Sequence, residues 1–310
     1  MLIDDIEYVI YRQNDLAATR EFMRDFGLLD GPPDDAALYL RGHGDVPFVY
    51  VATAGEPGFV GAGFRVASAE ALSALAGRLG QPISASARPG GGQFVVADDP
   101  EGRRLEFVHG AARAAGVSSS GGAPIRWNDA HGRNRPGVFQ RPEFGPSQVQ
   151  RLGHIALQSP NPNALYGWYR DMLGLRISDY AYIDDEKMPI ALFTHLDKGA
   201  GWTDHHTVAF VPGPPGTAHH VSFEVRDFDD LGIGGEWLRS KNRRHDWGVG
   251  RHLFGSQIYD YWFDPAGFRV EHYTDGDLVN EATPVGKIPF GPRVLHQWGP
   301  QPPDELAAAA

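Results

Sequence analysis

His219-His220-Val221-Ser222-Phe223-Glu224-Val225 alternates in the manner of a β-strand. Residues two apart in a strand share a face. His220 is therefore expected beside Ser222 and Glu224, with His219 on the opposite face beside Val221, Phe223 and Val225. On that reading at most one of the two histidines can join a given site. The strand also has a counterpart that lacks histidine. Phe64-Arg65-Val66, followed by Leu72, parallels Phe223-Glu224-Val225, followed by Leu231.

Two further matches keep the same order. Phe22-Met23-Arg24-Asp25-Phe26-Gly27-Leu28 parallels Trp168-Tyr169-Arg170-Asp171-Met172-Leu173-Gly174-Leu175, and Asp99-Pro100-Glu101-Gly102-Arg103-Arg104-Leu105-Glu106 parallels Asp264-Pro265-Ala266-Gly267-Phe268-Arg269-Val270-Glu271. The offsets are 146, 159 and 165 residues, rising along the chain. They need only insertions in the second half and describe an internal duplication of a β-α-β-β-β type unit. In the first half, strands are expected at 6–11, 37–40, 47–51, 63–66, 94–96 and 105–108, with helices at 16–26 and 69–79. In the second, strands are expected at 152–157, 176–182, 190–196, 207–211, 219–225, 258–263 and 268–273, with helices at 163–173 and 228–238. Asn14-Asp15 reads as a helix cap, and Gly27 and Gly174 as stops. The expected division is 1–110 for the first half, 111–149 for a Gly-, Ser- and Pro-rich linker, 150–276 for the second half and 277–310 for an extended tail. Ile288, Phe290, Val294 and Leu295 are placed to pin that tail to the body.

Of 310 residues, 42% are hydrophobic and 22% charged, as in globular proteins. The net charge of -11 disfavours nucleic acid and anionic membranes as partners. The chain has no cysteine, so thiolate chemistry is excluded and a reducing compartment, the cytoplasm, is expected. Met1-Leu2-Ile3-Asp4-Asp5-Ile6 does not resemble a signal peptide, and no apolar run has the length of a membrane span.

The duplication serves as an internal control, because a residue needed only for folding should recur in both halves. His154, His220 and Glu271 fall opposite Tyr8, Gly61 and Glu106. Only the glutamate recurs; the two histidines are additions. Two imidazoles and a carboxylate form a ligand set for non-haem Fe(II) that leaves one face open, and Zn(II), Mn(II), Ni(II) or Co(II) also suit these donors. Trp202, Trp247, Tyr259 and Trp262 are expected near such a site. Arg243, Arg244 and Arg293 are candidates to meet a substrate carboxylate or, alternatively, to line a solvated face.

Several segments together resemble type I extradiol ring-cleaving dioxygenases of the vicinal oxygen chelate superfamily, such as catechol 2,3-dioxygenases. They are Leu152-Gly153-His154-Ile155-Ala156-Leu157, His206-Thr207-Val208-Ala209-Phe210, His219-His220-Val221-Ser222-Phe223, Gly250-Arg251-His252 and Tyr261-Trp262-Phe263-Asp264-Pro265-Ala266-Gly267-Phe268-Arg269-Val270-Glu271. The resemblance covers roughly residues 3–276 and is specific in the second half. It implies an α+β fold of tandem βαβββ modules, each forming a cupped half-barrel sheet, with the metal site in the C-terminal modules. It implies that His154, His220 and Glu271 bind Fe(II), with Mn(II) as an alternative, and that O2 is the co-substrate. It further implies catalytic roles for His206, His252 and Tyr261 toward a small aromatic diol, and a homo-oligomer. The loop between His206 and His220 is one residue shorter than the family pattern, so His205 competes with His206. His205, His219 and His245 are read as supporting or structural. Competing readings are a glyoxalase-like isomerase, an epimerase or a hydroxyphenylpyruvate-type dioxygenase on the same scaffold, or a non-enzymatic small-molecule-binding relative.

Overall fold

The structure, a computed structural model, describes residues 1–117, 127–291 and 294–303. Arg293 and the closing Ala307-Ala308-Ala309-Ala310 lie outside the described residues. The first half runs β1 (Ile3–Gln13), α1 (Leu16–Asp25), β2 (Leu29–Asp30), β3 (Leu38–Arg41), β4 (Tyr50–Ala54), β5 (Gly58–Val66), α2 (Ala69–Leu79), β6 (Ser84–Ala85), β7 (Gln93–Asp98) and β8 (Arg104–His109). The second runs β9 (Val149–Ser159), α3 (Pro162–Leu173), β10 (Arg176–Tyr182), β11 (Pro189–His195), β12 (Thr203–Asp204), β13 (Val208–Pro212), β14 (Ala218–Val225), α4 (Phe228–Ser240), β15 (His245–Arg251), β16 (Ile258–Phe263) and β17 (Arg269–Thr274). Two tail strands follow, β18 (Leu278–Val279) and β19 (Gly286–Pro289). Among the described residues no helix is long and apolar enough to cross a membrane.

Each half forms one sheet, in the orders β2-β3-β4-β1-β5-β8-β7-β6 and β15-β16-β17-β14-β9-β13-β11-β10-β19. Each helix follows the first strand of a βαβββ unit: α1 after β1, α2 after β5, α3 after β9 and α4 after β14. The helices begin where a polar side chain can take up a free N–H: Asp15 accepts from Ala17 and Ala18, Ser68 from Ala71, Asn161 from Ala164, and Asp227 from Asp230. β1 and β9 are each 11 residues long and share almost the same burial pattern, from Ile3 and Val149 onward, with six consecutive residues buried on both faces. The duplication thus extends to individual side-chain positions.

One expectation is corrected. His219 does not lie on the outer face; it borders the same cavity as His220. The cause is a β-bulge. Ala218 pairs with Leu157 and His220 with the preceding Ala156, so His219 is the extra residue. A bulge breaks strict alternation and re-aims a side chain. The first half has the same bulge, with Phe59 opposite Tyr11, Gly61 opposite Ile10, and Val60 extra. A second difference is β15, which the sequence reading omits. His245-Asp246-Trp247-Gly248-Val249-Gly250-Arg251 has two glycines and little alternation, and it becomes a strand through pairing with β16.

The halves lock together reciprocally through the two Asp-Pro turns. Asp99 of one turn accepts from Tyr169 Oη at 3.1 Å, and Asp264 of the other accepts from Gln13 Nε2 at 2.7 Å. The buried Arg103 guanidinium binds Asp99 at 2.8 Å and the carbonyls of Gln158 and Thr217 across the interface. Arg243 pairs with Asp25 at 2.5 Å and Glu21 at 2.7 Å. His272 stacks on Phe26 and donates to its carbonyl at 2.6 Å.

Ser147, just before β9, is wedged against both halves. A Cβ at Gly27 would lie 2.1 Å from Ser147 O, and a Cβ at Gly234 in α4 would lie 1.7 Å from Ser147 Oγ. Helix propensity favours Gly234→Ala by about 1 kcal/mol, but overpacking costs about 1–3 kcal/mol. Because Ser147 Cβ and N would also lie at 2.8 and 3.0 Å, turning the hydroxyl aside does not relieve the contact, and the clash should win. Gly234→Ala is expected to lower the thermal midpoint, whereas Gly232→Ala in the same helix, where nothing lies within 4 Å, should not. Differential scanning calorimetry of both variants decides the sign.

Candidate metal centre and cavity

β9, β14 and β17 lie side by side in the second sheet. His154 is two residues from Ala156 on β9, His220 pairs with Ala156, and Ser222 pairs with both His154 and Glu271. Neighbouring strands thereby bring together three residues separated by 66 and 51 positions in sequence. His154 Nε2 is 3.2 Å from His220 Nε2 and 3.2 Å from Glu271 Oε2, and His220 Nε2 is 3.5 Å from the same oxygen. Donors at about 2.1 Å from one cation lie about 3.0 Å apart at right angles and about 3.4 Å apart at the tetrahedral angle. The triangle therefore fits a single metal ion held on one face, and these three residues form a possible metal-binding cluster.

The surrounding electrostatics are consistent with this fit. Glu271 is fully buried, and neither of its oxygens accepts a well-formed hydrogen bond among the described residues. A buried carboxylate without donors is costly unless a cation compensates it. Burial would raise its pKa, but the surrounding imidazoles of His154, His252 and His220 outweigh that and hold it well below the usual carboxylate range. Burial first, and neighbouring imidazoles after it, keep His206 neutral, and His220 is also pushed well down, chiefly by burial. Ionised carboxylate and neutral imidazole are the forms that bind metal.

The first half shows what fills this place when no metal is required. Tyr8 Oη donates to Glu106 at 2.6 Å, Arg88 makes two hydrogen bonds to the same carboxylate at 2.5 and 2.7 Å, and Arg104 adds a third at 2.7 Å. Glu106 is thus neutralised by guanidinium groups, whereas the ion-pair partners of Glu271 among the described residues are imidazoles, those of His154, His220 and His252.

His219 supports His220. Its Nδ1 lies 2.7 Å from His220 Nδ1. If His220 binds metal through Nε2, its ring proton sits on Nδ1 and donates to His219. That requires a neutral His219. Burial and then Arg269 push its pKa down to about 3, and Arg269 is itself held by Asp246 at 2.5 Å. His154 is fixed differently. Its Nδ1 has no hydrogen-bond partner among the described residues, and its ring packs on His206 with centroids 4.1 Å apart.

His206, His252 and Tyr261 border the same cavity as His154 and His220. His205 does not; it stands behind His206, with the two Nδ1 atoms 3.0 Å apart and His205 Nε2 2.8 Å from Asp179. His252 Nδ1 donates to the Leu295 carbonyl at 2.8 Å, which leaves Nε2 to accept from Tyr261 Oη at 2.9 Å. Burial and then the Glu271 charge keep the Tyr261 phenol protonated well above its usual range. Of the other sequence candidates, Trp247 lines the cavity and Tyr259 stacks on His252 with centroids 4.0 Å apart. Trp202 is exposed, Trp262 packs on His245, Arg243 bridges to the first half and Arg244 lies over Phe263. The sequence reading did not single out Gln257, Phe193 or Phe254, which also line the cavity. Nor did it anticipate that the tail supplies a wall: Phe290, Val294 and Leu295 close one side, held there by β19 pairing with β10.

The fold and this site define a class. Residues 151–272 match the Glyoxalase/Bleomycin resistance protein/Dioxygenase superfamily, and the fold is that of the vicinal oxygen chelate proteins. Within that class the chain is similar to metapyrocatechase 2 of Cupriavidus necator, 33% identical over 66% of this chain. The chain spans 60% of the length of that relative. It is also similar to an iron-dependent extradiol dioxygenase of Rhodococcus jostii (strain RHA1), 26% identical over 93% of this chain and 94% of the relative. A Mn(II)-bound glyoxalase from Novosphingobium aromaticivorans superposes with a TM-score of 0.81 at 25% identity, covering 98% of this chain and 93% of its own.

Replacing His154 or His220 by Ala, or Glu271 by Gln, is expected to abolish stoichiometric binding of a divalent metal, read by calorimetry on metal-free protein. His219→Ala should keep the site but weaken it by about 10–100-fold, as loss of a residue that orients a ligand does. Unchanged affinity in His219→Ala would reduce the His219 contact to packing.

Proposed function

We propose that this chain is an extradiol dioxygenase, a metal-dependent enzyme that opens the ring of a catechol with O2 and places both oxygen atoms in the product. The reading rests most on one observation. The two histidines of a two-His, one-carboxylate cluster and three further proton-carrying groups, His206, His252 and Tyr261, border one cavity. Fe(II) suits the cluster best and Mn(II) is the alternative; when bound, it supplies the one-electron chemistry that lets a diol and O2 react.

The chain's own residues handle positions and protons. His252 Nε2 has its lone pair toward Tyr261 Oη, so a diol hydroxyl entering here can give its proton to the imidazole while the phenol turns its hydrogen to the other diol oxygen. Both contacts favour the ionised diol. His206 is neutral, and its Nδ1 faces His205, which Asp179 anchors. That chain leaves His206 Nε2 free to take up a proton and to return it when the O–O bond breaks. The ring carbon bond beside the diol is then replaced by two carbon–oxygen functions, giving a hydroxymuconic semialdehyde or keto acid. A metal-dependent isomerase on this scaffold has no comparable use for the His252–Tyr261 pair.

Fe(II)-loaded protein supplied with catechols under O2 should consume one O2 per substrate and form a yellow ring-fission product. His206→Asn should retain metal and lower kcat by about 10²–10⁴-fold, the usual worth of a general acid–base. Metal uptake without oxygen consumption on a broad catechol panel would overturn the reading.

A further inference from the structure

The two halves have corresponding cups, and their contents differ in a way that bears on substrate. Register pairs Ile10 with Val51's strand in the first half as it pairs Ala156 with that of Ala209 in the second: Val9 lies opposite Tyr50 and Ile10 opposite Val51, as Ile155 lies opposite Val208 and Ala156 opposite Ala209. Tyr39 beside Val51 corresponds to Phe193 beside Ala209. In the first half, Ile10, Val51, Tyr39 and Phe48 pack into a small apolar cluster, and the cavity that borders Tyr8 and Phe48 there is about 10 Å³. In the second, the Ile and Val positions are both alanine and the cavity is about 90 Å³.

The alanines continue across the sheet. Ala156 on β9, Ala209 on β13, Ala191 on β11 and Ala181 on β10 all line the cavity, and Ala191 pairs with Ala181. Three strand spacings of about 4.8 Å make this floor about 14 Å long, more than one aromatic ring needs. No Asp, Glu, Lys or Arg is among the described residues that line it. Away from the histidines and Tyr261 the polar side chain is Gln257, an uncharged amide whose buried Oε1 has no partner among the described residues.

We infer that the substrate is an uncharged catechol bearing an apolar alkyl or aryl substituent, which lies along the alanine floor, and that Ala209 and Ala191 determine this specificity. The inference rests on the catechol reading above. A carboxylate on the substituent would be buried without a cation from the described residues, at a cost of at least about 100-fold in binding.

The test uses Fe(II)-loaded, full-length protein with catechol, 4-propylcatechol, 2,3-dihydroxybiphenyl and 3,4-dihydroxybenzoate. kcat/KM for the better of the two substituted neutral diols should exceed that for the acid by about 100-fold or more. Ala209→Val restores the first half's residue. It should cut the ratio of substituted to parent catechol by about 10-fold or more, within the range one or two methyl groups decide. Metal stoichiometry and melting temperature check that the variant folds; if it does not, Ala191→Val reads the same ratio. An acid accepted as well as the neutral diols would overturn the inference, whatever Arg293 contributes, and so would a ratio that neither variant moves. If no catechol is cleaved, the catalytic reading fails instead. Anaerobic calorimetry with the same four diols then reads the inference separately: tighter binding of the neutral substituted diols upholds it, and equal or tighter binding of the acid ends it.

Discussion

A buried carboxylate at the same place in each half dominates this structure. Glu106 and Glu271 occupy matching positions on the strands paired with β5 and β14, and each is removed from water. An ion in that position must be compensated. The first half uses Arg88, Arg104 and Tyr8. The second has two imidazoles where the first has Tyr8 and Gly61, and its carboxylate pairs with imidazoles rather than guanidinium groups among the described residues. On the proposed reading, the difference between a structural half and a metal-binding half is a difference in how one charge is balanced.

The supporting shell follows from the same requirement. A neutral His220 needs an acceptor for its ring proton, and a bulge brings His219 to it. His252 needs its proton on Nδ1 if Nε2 is to accept, and a carbonyl of the tail provides for that. The tail thus both positions His252 and walls the cavity through Phe290, Val294 and Leu295. Its extended course, rich in proline, leaves backbone groups free to pair with β10 and with the core.

Much of the fold was legible because it is written twice. The paired Asp-Pro turns, the Arg-Asp helix ends and the Phe-x-Val strands identify the duplication, and matching positions single out His154 and His220 as additions. Periodicity placed the helices and most strands. It failed at β15, where Gly248 and Gly250 dilute the strand signal and pairing with β16 decides the conformation. It failed again at His219, because alternation assumes one residue per pleat and a bulge supplies two.

The sequence by itself determined the duplicated α+β plan, the candidate ligands that only one half carries and the absence of thiol chemistry, since these depend on residue types and their order. Tertiary structure alone decided that His206 rather than His205 reaches the cavity, that both histidines of the pair face inward, and that the tail closes the site. Those features depend on strand register, a local bulge and contacts between segments more than forty residues apart, such as His252 with Leu295. No local pattern encodes such contacts, because their energy exists only once the sheet has curved and brought the segments together.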